Sequence, residues 1–202
     1  MGIAQPAGSE RTTPVGTEFR VVPKLAAENI DCVEDDLQGG VGLHLGCGYR
    51  YWDGWVNIDS GNYRKDLESD CRVLTFPDDH ADAIAAIALL EHFYLWEAEA
   101  ALKEWHRVLK PGGKIILELP CMDKVFSYIA DCLVGKKEPA HNLSWWPLWG
   151  NPTKCDPGMM HKWGYTAFAL HKLLEKVGFK EVPFQPARYH VKLRDMRFEA
   201  VK

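Results

Sequence analysis

The chain has 202 residues, of which 47% are hydrophobic and 26% are charged, with a formal net charge of −4. This length suits one domain whose core needs no disulfides. The acidic balance argues against a broad surface for nucleic acid or anionic membrane. The six cysteines show no CxxC or Cys/His spacing, which argues against structural zinc. Reduced cysteines, no signal-peptide pattern and no apolar run of spanning length favour a cytoplasmic protein without membrane attachment.

Strands and helices alternate along most of the sequence. Residues 1–18 are rich in Gly, Pro, Ser and Thr and predict a flexible N-terminal arm, so the domain is expected over residues 19–202. The apolar patterns predict strands at 41–45, 55–58, 83–90, 114–119, 180–184 and 189–201, and helices at 95–109, 123–133 and 168–177. Thr166 is expected to cap the last helix and Gly178 to end it. This alternation predicts an α/β fold with a mostly parallel sheet and helices on both faces.

The first strand leads into a glycine loop, LGCG, with Gly46 and Gly48 one residue apart. A dinucleotide fold would need a third glycine at the position of Tyr51 and an acid about twenty residues further on. Here Asp59 follows only eleven positions after Gly48, so the first crossover is expected to shrink to about one helical turn. Asp59 would then face the loop and accept both hydroxyls of a ribose. Alternatively, the glycines only make a tight turn and Asp59 caps a loop.

The order of motifs resembles the class I, Rossmann-like S-adenosylmethionine-dependent methyltransferases, in particular the small predicted methyltransferases of type 11. The resemblance covers about residues 41–202 and rests on LGCG, GWVNID, DCRVLTFPDD, LLEH, VLKPGG and MHKWGYT. It implies a single-domain fold with a seven-stranded, mostly parallel sheet whose last strand is antiparallel, and S-adenosylmethionine as the cofactor, with S-adenosylhomocysteine as the product. The implied cofactor-binding residues are Gly46, Cys47, Gly48, Asp59, Asp70, Cys71 and Leu90. His44 stands where the family often has an acid for the methionine amino group, and Thr75 replaces a proline of the adenine segment.

Methyl transfer needs alignment and, for an alcohol acceptor, a general base, but in principle no metal. The candidate bases are His161 and His92, with Tyr165 as a hydrogen-bond donor to the acceptor. His92 could instead cap a turn, and His161 could brace a loop.

Residues 135–165 form a Trp- and Pro-rich insertion expected to cover the substrate. Its four tryptophans could stack on an acceptor or surround the sulfonium, but they could equally form a satellite core or the interface of a homodimer.

The leading functional hypothesis is a methyltransferase that acts on oxygen or nitrogen of a small molecule such as a sugar or secondary metabolite. The alternatives are a nucleic-acid methyltransferase and a non-catalytic scaffold subunit that binds the cofactor. A cluster of basic residues near the C-terminus is expected to be a solvated face rather than a nucleic-acid patch: Arg188, Lys192, Arg194, Arg197 and Lys202.

Overall fold

The computed structural model describes residues 37, 39–180 and 182–202. The arm predicted for residues 1–18 and the first part of the domain lie outside this range. Seven strands occur in the described part: β1 Gly42–Leu45, β2 Val56–Asp59, β3 Leu67–Glu68, β4 Ala81–Ile87, β5 Leu109–Pro120, β6 Phe184–Pro186 and β7 Asp195–Val201. They form one sheet in the order β3-β2-β1-β4-β5-β7-β6.

The sheet is parallel except for β7. The strands β3, β2, β1, β4 and β5 pair in parallel, whereas β7 is antiparallel to both β5 and β6. The expected seven-stranded sheet with an antiparallel last strand is therefore confirmed. In a parallel sheet the carboxyl ends of the strands share one edge, and ligands bind where the strand order reverses. Here that point lies between β1 and β4.

Four α-helices accompany the described strands: α1 Leu95–Val108, α2 Met122–Leu133, α3 Trp146–Trp149 and α4 Ala167–Val177. The predicted ends of α4 are confirmed, since Thr166 Oγ1 accepts the Ala169 N–H at 3.1 Å and Gly178 takes a φ of 117°. No described helix is both long enough and apolar enough to cross a membrane.

A layer of buried apolar side chains covers each face of the sheet. Leu43 and Leu45 of β1 belong to the main core, which also includes the buried faces of α1 and α4. The alternate residues of β4 lie in a smaller cluster with Trp52, Trp55 and Tyr189. Strands buried on both faces explain why β4 and β5 show near-continuous apolar runs.

Several predicted boundaries are wrong. The strand expected at 83–90 ends at Ile87, because Ala88 has a φ of 54° and Leu90–His92 forms a 3₁₀ turn. The helix expected at 95–109 ends at Val108, and the next strand begins directly at Leu109. Among the described residues of the 180–184 prediction, Phe184 alone lies in one of the seven strands, and the final strand begins at Asp195 rather than at 189.

The insertion at 135–165 contains α3 and two 3₁₀ turns, at Pro152–Lys154 and Pro157–Met159. Trp145, Trp149 and Trp163 each expose about half of their surface, at 49%, 62% and 45%. This exposure does not fit a satellite core.

The solvated basic face predicted near the C-terminus is wrong for two of its members. Arg194 and Arg197 are 6% and 2% exposed, respectively. Arg194 pairs with Asp195, and Arg197 pairs with Glu118 on the neighbouring strand β5. Buried arginines are retained where carboxylates compensate their charge, and the sequence pattern does not reveal those partners.

Candidate functional site

The glycine loop and the acid at the end of β2 meet at the carboxyl edge of the sheet. The Gly48 N–H donates to Asp59 Oδ2 at 2.8 Å, and the Gly61 N–H donates to Oδ1 at 2.6 Å. Gly46 and Gly48 have φ values of 62° and 53°, a region that favours glycine. Asp59 thus faces the loop, as the sequence predicts, and the carboxylate lies against bare main chain.

Gly46 lies directly against the loop that follows β4. A Cβ atom at Gly46 would come within 2.7 Å of Leu89, so this close approach and the positive φ both require glycine. The Gly46 N–H also contacts Cys71 Sγ at 3.3 Å. The ends of β1 and β4 therefore meet where the sheet order reverses.

The first crossover contains turns and no helix, which corrects the expected single helical turn. The fully buried Asn57 holds it instead. Asn57 Oδ1 accepts the Trp52 N–H at 2.8 Å, and its amide donates to the carbonyl oxygens of Trp52 and Trp55 at 2.8 and 2.9 Å. One side chain thus fixes a loop too short for a helix. Sequence reasoning missed Asn57, although a polar residue inside a buried strand was a signal.

His44 lies on the same face of the sheet as Asn57. Its ring stacks on Trp52 at 3.8 Å between centroids, and Nδ1 lies 3.1 Å from Asn57 Oδ1. Burial lowers the pKa of His44 to about 4, so the ring is neutral at neutral pH. It therefore supplies no charge for a methionine amino group.

The predicted adenine segment contains one exposed acid and one buried thiol. Asp70 forms an ion pair with Arg72 at 2.7 Å, and the Arg72 hydrogen bond holds the pKa of Asp70 below its usual range. Cys71 is buried beneath the glycine loop, and its carbonyl accepts the Trp105 Nε1–H at 2.7 Å. Burial raises the pKa of Cys71 to about 12 and that of Cys47 to about 11. Neither thiol is a nucleophile at neutral pH.

Beyond β4, the chain turns through Leu90, Glu91 and His92 toward the insertion. Leu90 and Glu91 are buried, at 1% and 2% exposed, and the Glu91 carbonyl accepts the N–H groups of Lys162 and Trp163 at 2.8 and 3.2 Å. These bonds fix the end of the insertion against the end of β4. The imidazole rings of His92 and His161 therefore meet edge to face, 4.9 Å apart.

The structure brings together both predicted catalytic histidines, His92 and His161, and also Glu91, which sequence reasoning missed. Donor atoms of Glu91, His92 and His161 all lie within 4.8 Å of one another. Both Glu91 carboxylate oxygens are buried without a hydrogen-bond partner among the described residues. A glutamate at the end of the apolar run in LLEH was an available signal.

Tyr165 lies beside this group. It pairs with Cys121 at the end of β5, and its carbonyl accepts the Met122 N–H at 2.9 Å. Its buried hydroxyl has no partner among the described residues. Burial raises the pKa of Tyr165, with a further contribution from Glu91.

Comparisons with known proteins agree with this architecture. Residues 43–117 match the family described as methyltransferase domain. A stretch of 92 residues is 36% identical to the ubiquinone/menaquinone biosynthesis C-methyltransferase UbiE of Azotobacter vinelandii. That match covers 45% of this chain and 32% of UbiE, so the chain spans about a third of the length of this curated relative.

Solved structures extend the likeness over most of the chain. An S-adenosylmethionine-dependent methyltransferase of Methanosarcina mazei is similar with a TM-score of 0.57 at 19% identity, covering 84% of this chain and 96% of that one. Another, from Archaeoglobus fulgidus, has a TM-score of 0.56 at 15% identity, covering 86% and 87%. At these identities the likeness shows the fold alone. The chain is thus similar to the methyltransferase domain family over residues 43–117, and over most of its length it has the Rossmann-like fold of these methyltransferase structures.

Proposed function

We propose that this protein transfers a methyl group from S-adenosylmethionine to an oxygen or nitrogen atom of a small molecule, such as a sugar or secondary metabolite. The observation that carries the proposal is the contact between the Asp59 carboxylate and the Gly48 main chain, at the edge of the sheet where His92 and His161 also lie. The end of this edge near Asp59 suits a nucleoside, and the end near His92 and His161 suits an acceptor that must lose a proton.

Asp59 can hold a ribose in its present orientation. Each carboxylate oxygen accepts one main-chain N–H, from Gly48 or Gly61, and an ionised carboxylate offers about four acceptor positions. The remaining lone pairs can accept the two vicinal hydroxyls of the sugar. The main chain at Gly48, where a Cβ atom would meet nothing within 4 Å, leaves room for the methionine end of the cofactor.

The adenine and amino contacts differ from the family pattern. Because Asp70 is paired with Arg72, we assign the adenine contact to main-chain groups around Cys71 rather than to the Asp70 carboxylate. Because His44 stands where the family often has an acid, and its ring is buried, the methionine amino group would bind main-chain carbonyls instead.

The transfer itself is an in-line displacement, in which orientation of the reacting atoms can supply about 7–11 kcal/mol. His161 is the stronger candidate for the base. Its Nδ1 lies 2.8 Å from the Pro147 carbonyl, which can only accept, so Nδ1 carries the proton and Nε2 is free to take one. The exposed tryptophans of the insertion offer flat apolar surfaces to an acceptor.

Cofactor binding tests this proposal directly. Isothermal titration with S-adenosylhomocysteine is expected to show binding to the unaltered protein, about 100-fold weaker binding to Asp59→Ala, and unchanged binding to Asp53→Ala. The loss corresponds to about 2–3 kcal/mol, the scale of hydrogen bonds to a charged group. Asp53 is the matched control because it is exposed in the same crossover.

The acceptor class needs a second measurement. A panel of sugars, phenols and amines with radiolabelled cofactor is expected to yield a methylated small molecule. Tight cofactor binding without transfer to any compound would favour a scaffold subunit instead, and salt-sensitive binding to RNA would favour a nucleic-acid acceptor. Full affinity in Asp59→Ala would contradict the assigned cofactor site.

A further inference from the structure

Three side chains from two distant parts of the sequence converge at the carboxyl end of β4. Glu91 and His92 follow the strand, whereas His161 comes from the segment between α3 and α4. One donor atom from each of the three residues lies within 4.8 Å of the other two. The Glu91 residue is 2% exposed.

The two histidines are oriented by the main chain. His92 Nδ1 lies 3.1 Å from the Met160 carbonyl oxygen, and His161 Nδ1 lies 2.8 Å from the Pro147 carbonyl oxygen. A carbonyl can only accept, so Nδ1 is protonated in both rings and Nε2 retains its lone pair. Histidines that bind metals commonly donate their other N–H in this way, which fixes the tautomer and the orientation of the ring.

Glu91 lacks the partners that a buried carboxylate normally has. Neither oxygen is hydrogen-bonded within the described residues, and leaving such a group uncompensated is costly. A ring nitrogen of each histidine lies within 4.8 Å of a Glu91 carboxylate oxygen, but neither ring forms a hydrogen bond to it.

We propose that Glu91, His92 and His161 bind one divalent transition-metal ion, such as Zn²⁺. Two imidazoles and one carboxylate are the ligands of catalytic zinc and of non-haem iron sites, and both kinds of site leave a coordination position open. Small movements of these side chains suffice to close the three donors around one ion. The site lies at the same edge of the sheet as Gly46, which contacts Leu89 of the same turn.

The open position assigns a role that rests on the proposed methyl transfer; it replaces the role of His161 as the base, because Nε2 of His161 is then a metal ligand. A hydroxyl oxygen of the acceptor bound there would become more acidic and release its proton to water. The oxygen lone pair then forms the new O–C bond to the methyl group, while the electron pair of the C–S bond returns to sulfur. The sulfonium becomes a neutral thioether, and the charges balance.

Metal binding can be measured without any methyl acceptor. The full-length protein is treated with a chelator and titrated with Co²⁺, whose visible absorption reports a site with nitrogen and oxygen ligands, and then with Zn²⁺ in competition. We expect one ion per chain, and Glu91→Gln and His161→Ala each to weaken binding by at least about 100-fold, more than the 10–100-fold typical of outer-shell changes. His171→Ala is the matched control, because His171 forms a surface pair with Glu175 on α4 that could bind ions adventitiously.

Thermal unfolding with and without Zn²⁺ separates a lost site from a misfolded variant. Zn²⁺ is expected to raise the Tm of the unaltered protein and of His171→Ala, but not that of a folded Glu91→Gln variant. No bound ion in the unaltered protein, or binding retained in Glu91→Gln and lost in His171→Ala, would overturn the site. S-adenosylhomocysteine titration tests the proposed function separately. Metal binding without cofactor binding refutes the proposed function alone, and cofactor binding without metal binding refutes the metal site alone.

Discussion

Two buried glutamates lie at neighbouring strands of the same sheet, but their surroundings differ completely. Glu118 on β5 is fully buried, and its oxygens accept the main-chain N–H groups of Arg188 and Tyr189 at 2.7 and 2.8 Å. Arg197 of β7 adds an ion pair at 3.1 Å. Glu91, beyond the end of β4, is almost as deeply buried, and its carboxylate has no hydrogen-bond partner in the described part of the chain.

This difference separates a carboxylate that holds the fold from one that is available to a ligand. The partners of Glu118 fasten the loop before β7 to the centre of the sheet. Because the oxygens of Glu118 are bound by main-chain N–H groups and by Arg197, Glu118 is structural, whereas the Glu91 carboxylate has no such partners and remains available to the proposed ion. The same distinction applies to Asn57 and His44, which have partners, and to the hydroxyl of Tyr165, which has none.

The same substitution at the two glutamates should give the sharpest contrast. Glu118→Gln puts an amide against N–H donors and removes the charge facing Arg197, so we expect a loss of about 3–5 kcal/mol in the free energy of unfolding. Glu91→Gln in metal-free buffer replaces a buried carboxyl group whose oxygens have no partner among the described residues, so stability should stay equal or rise. Urea unfolding of both variants, after chelator treatment, measures the difference. Equal losses in the free energy of unfolding at the two positions would show that both glutamates are structural.

Asn57 should have the next largest effect on stability. Asn57→Ala leaves the carbonyls of Trp52 and Trp55 and the N–H of Trp52 without their partner, at about 1–3 kcal/mol for a buried group left unsatisfied. We expect a loss of about 3 kcal/mol by urea unfolding, with weaker S-adenosylhomocysteine binding because the crossover no longer holds the loop at Gly48. A loss in the free energy of unfolding below about 1 kcal/mol would show that the crossover keeps its conformation without the Asn57 side chain.

The sequence predicts the parts of this structure that local patterns control. Helix α4, its Thr166 cap and its Gly178 end are all present, because each depends on residues within a few positions of one another. The glycine loop and Asp59 are brought together as expected, because a short crossover leaves Asp59 little freedom.

The sequence does not predict partners that come from distant segments. Arg197 looks like a surface residue until β7 pairs with β5 and brings it to Glu118. Glu91 and His161 meet only because the insertion returns to bind the Glu91 main chain. Strand ends were misplaced for a similar reason: Ala88 continues an apolar run, but its positive φ is set by the turn that follows.

His44 offers a smaller, pH-dependent test. Its pKa is about 4 in the folded state against about 6.5 when unfolded, so between these values the unfolded chain binds more protons and stability falls as pH falls. At about pH 5 this linkage costs about 2 kcal/mol relative to neutral pH, and it is absent above the unfolded pKa. His44→Gln keeps a donor toward Asn57 but does not titrate. Urea unfolding at both pH values should therefore show a steeper acid loss for the unaltered protein, and parallel losses would mean that His44 stays accessible to protons.

Tyr165→Phe should have the smallest effect on stability and so tests the unsatisfied side of the comparison. Removing a buried hydroxyl that has no partner should leave the free energy of unfolding unchanged or raise it by up to about 1 kcal/mol. Tyr128→Phe is the control, because the Tyr128 hydroxyl donates to the Glu138 carbonyl at 2.7 Å and its loss should cost about 0.5–1 kcal/mol. If the Tyr165 hydroxyl instead reaches the acceptor, kcat/KM falls by about tenfold in Tyr165→Phe alone, while affinity for S-adenosylhomocysteine is unchanged. A stability loss at Tyr165 as large as that at Tyr128 would mean that its hydroxyl has a partner in solution, and the free group beside Glu91 would then not be part of the site.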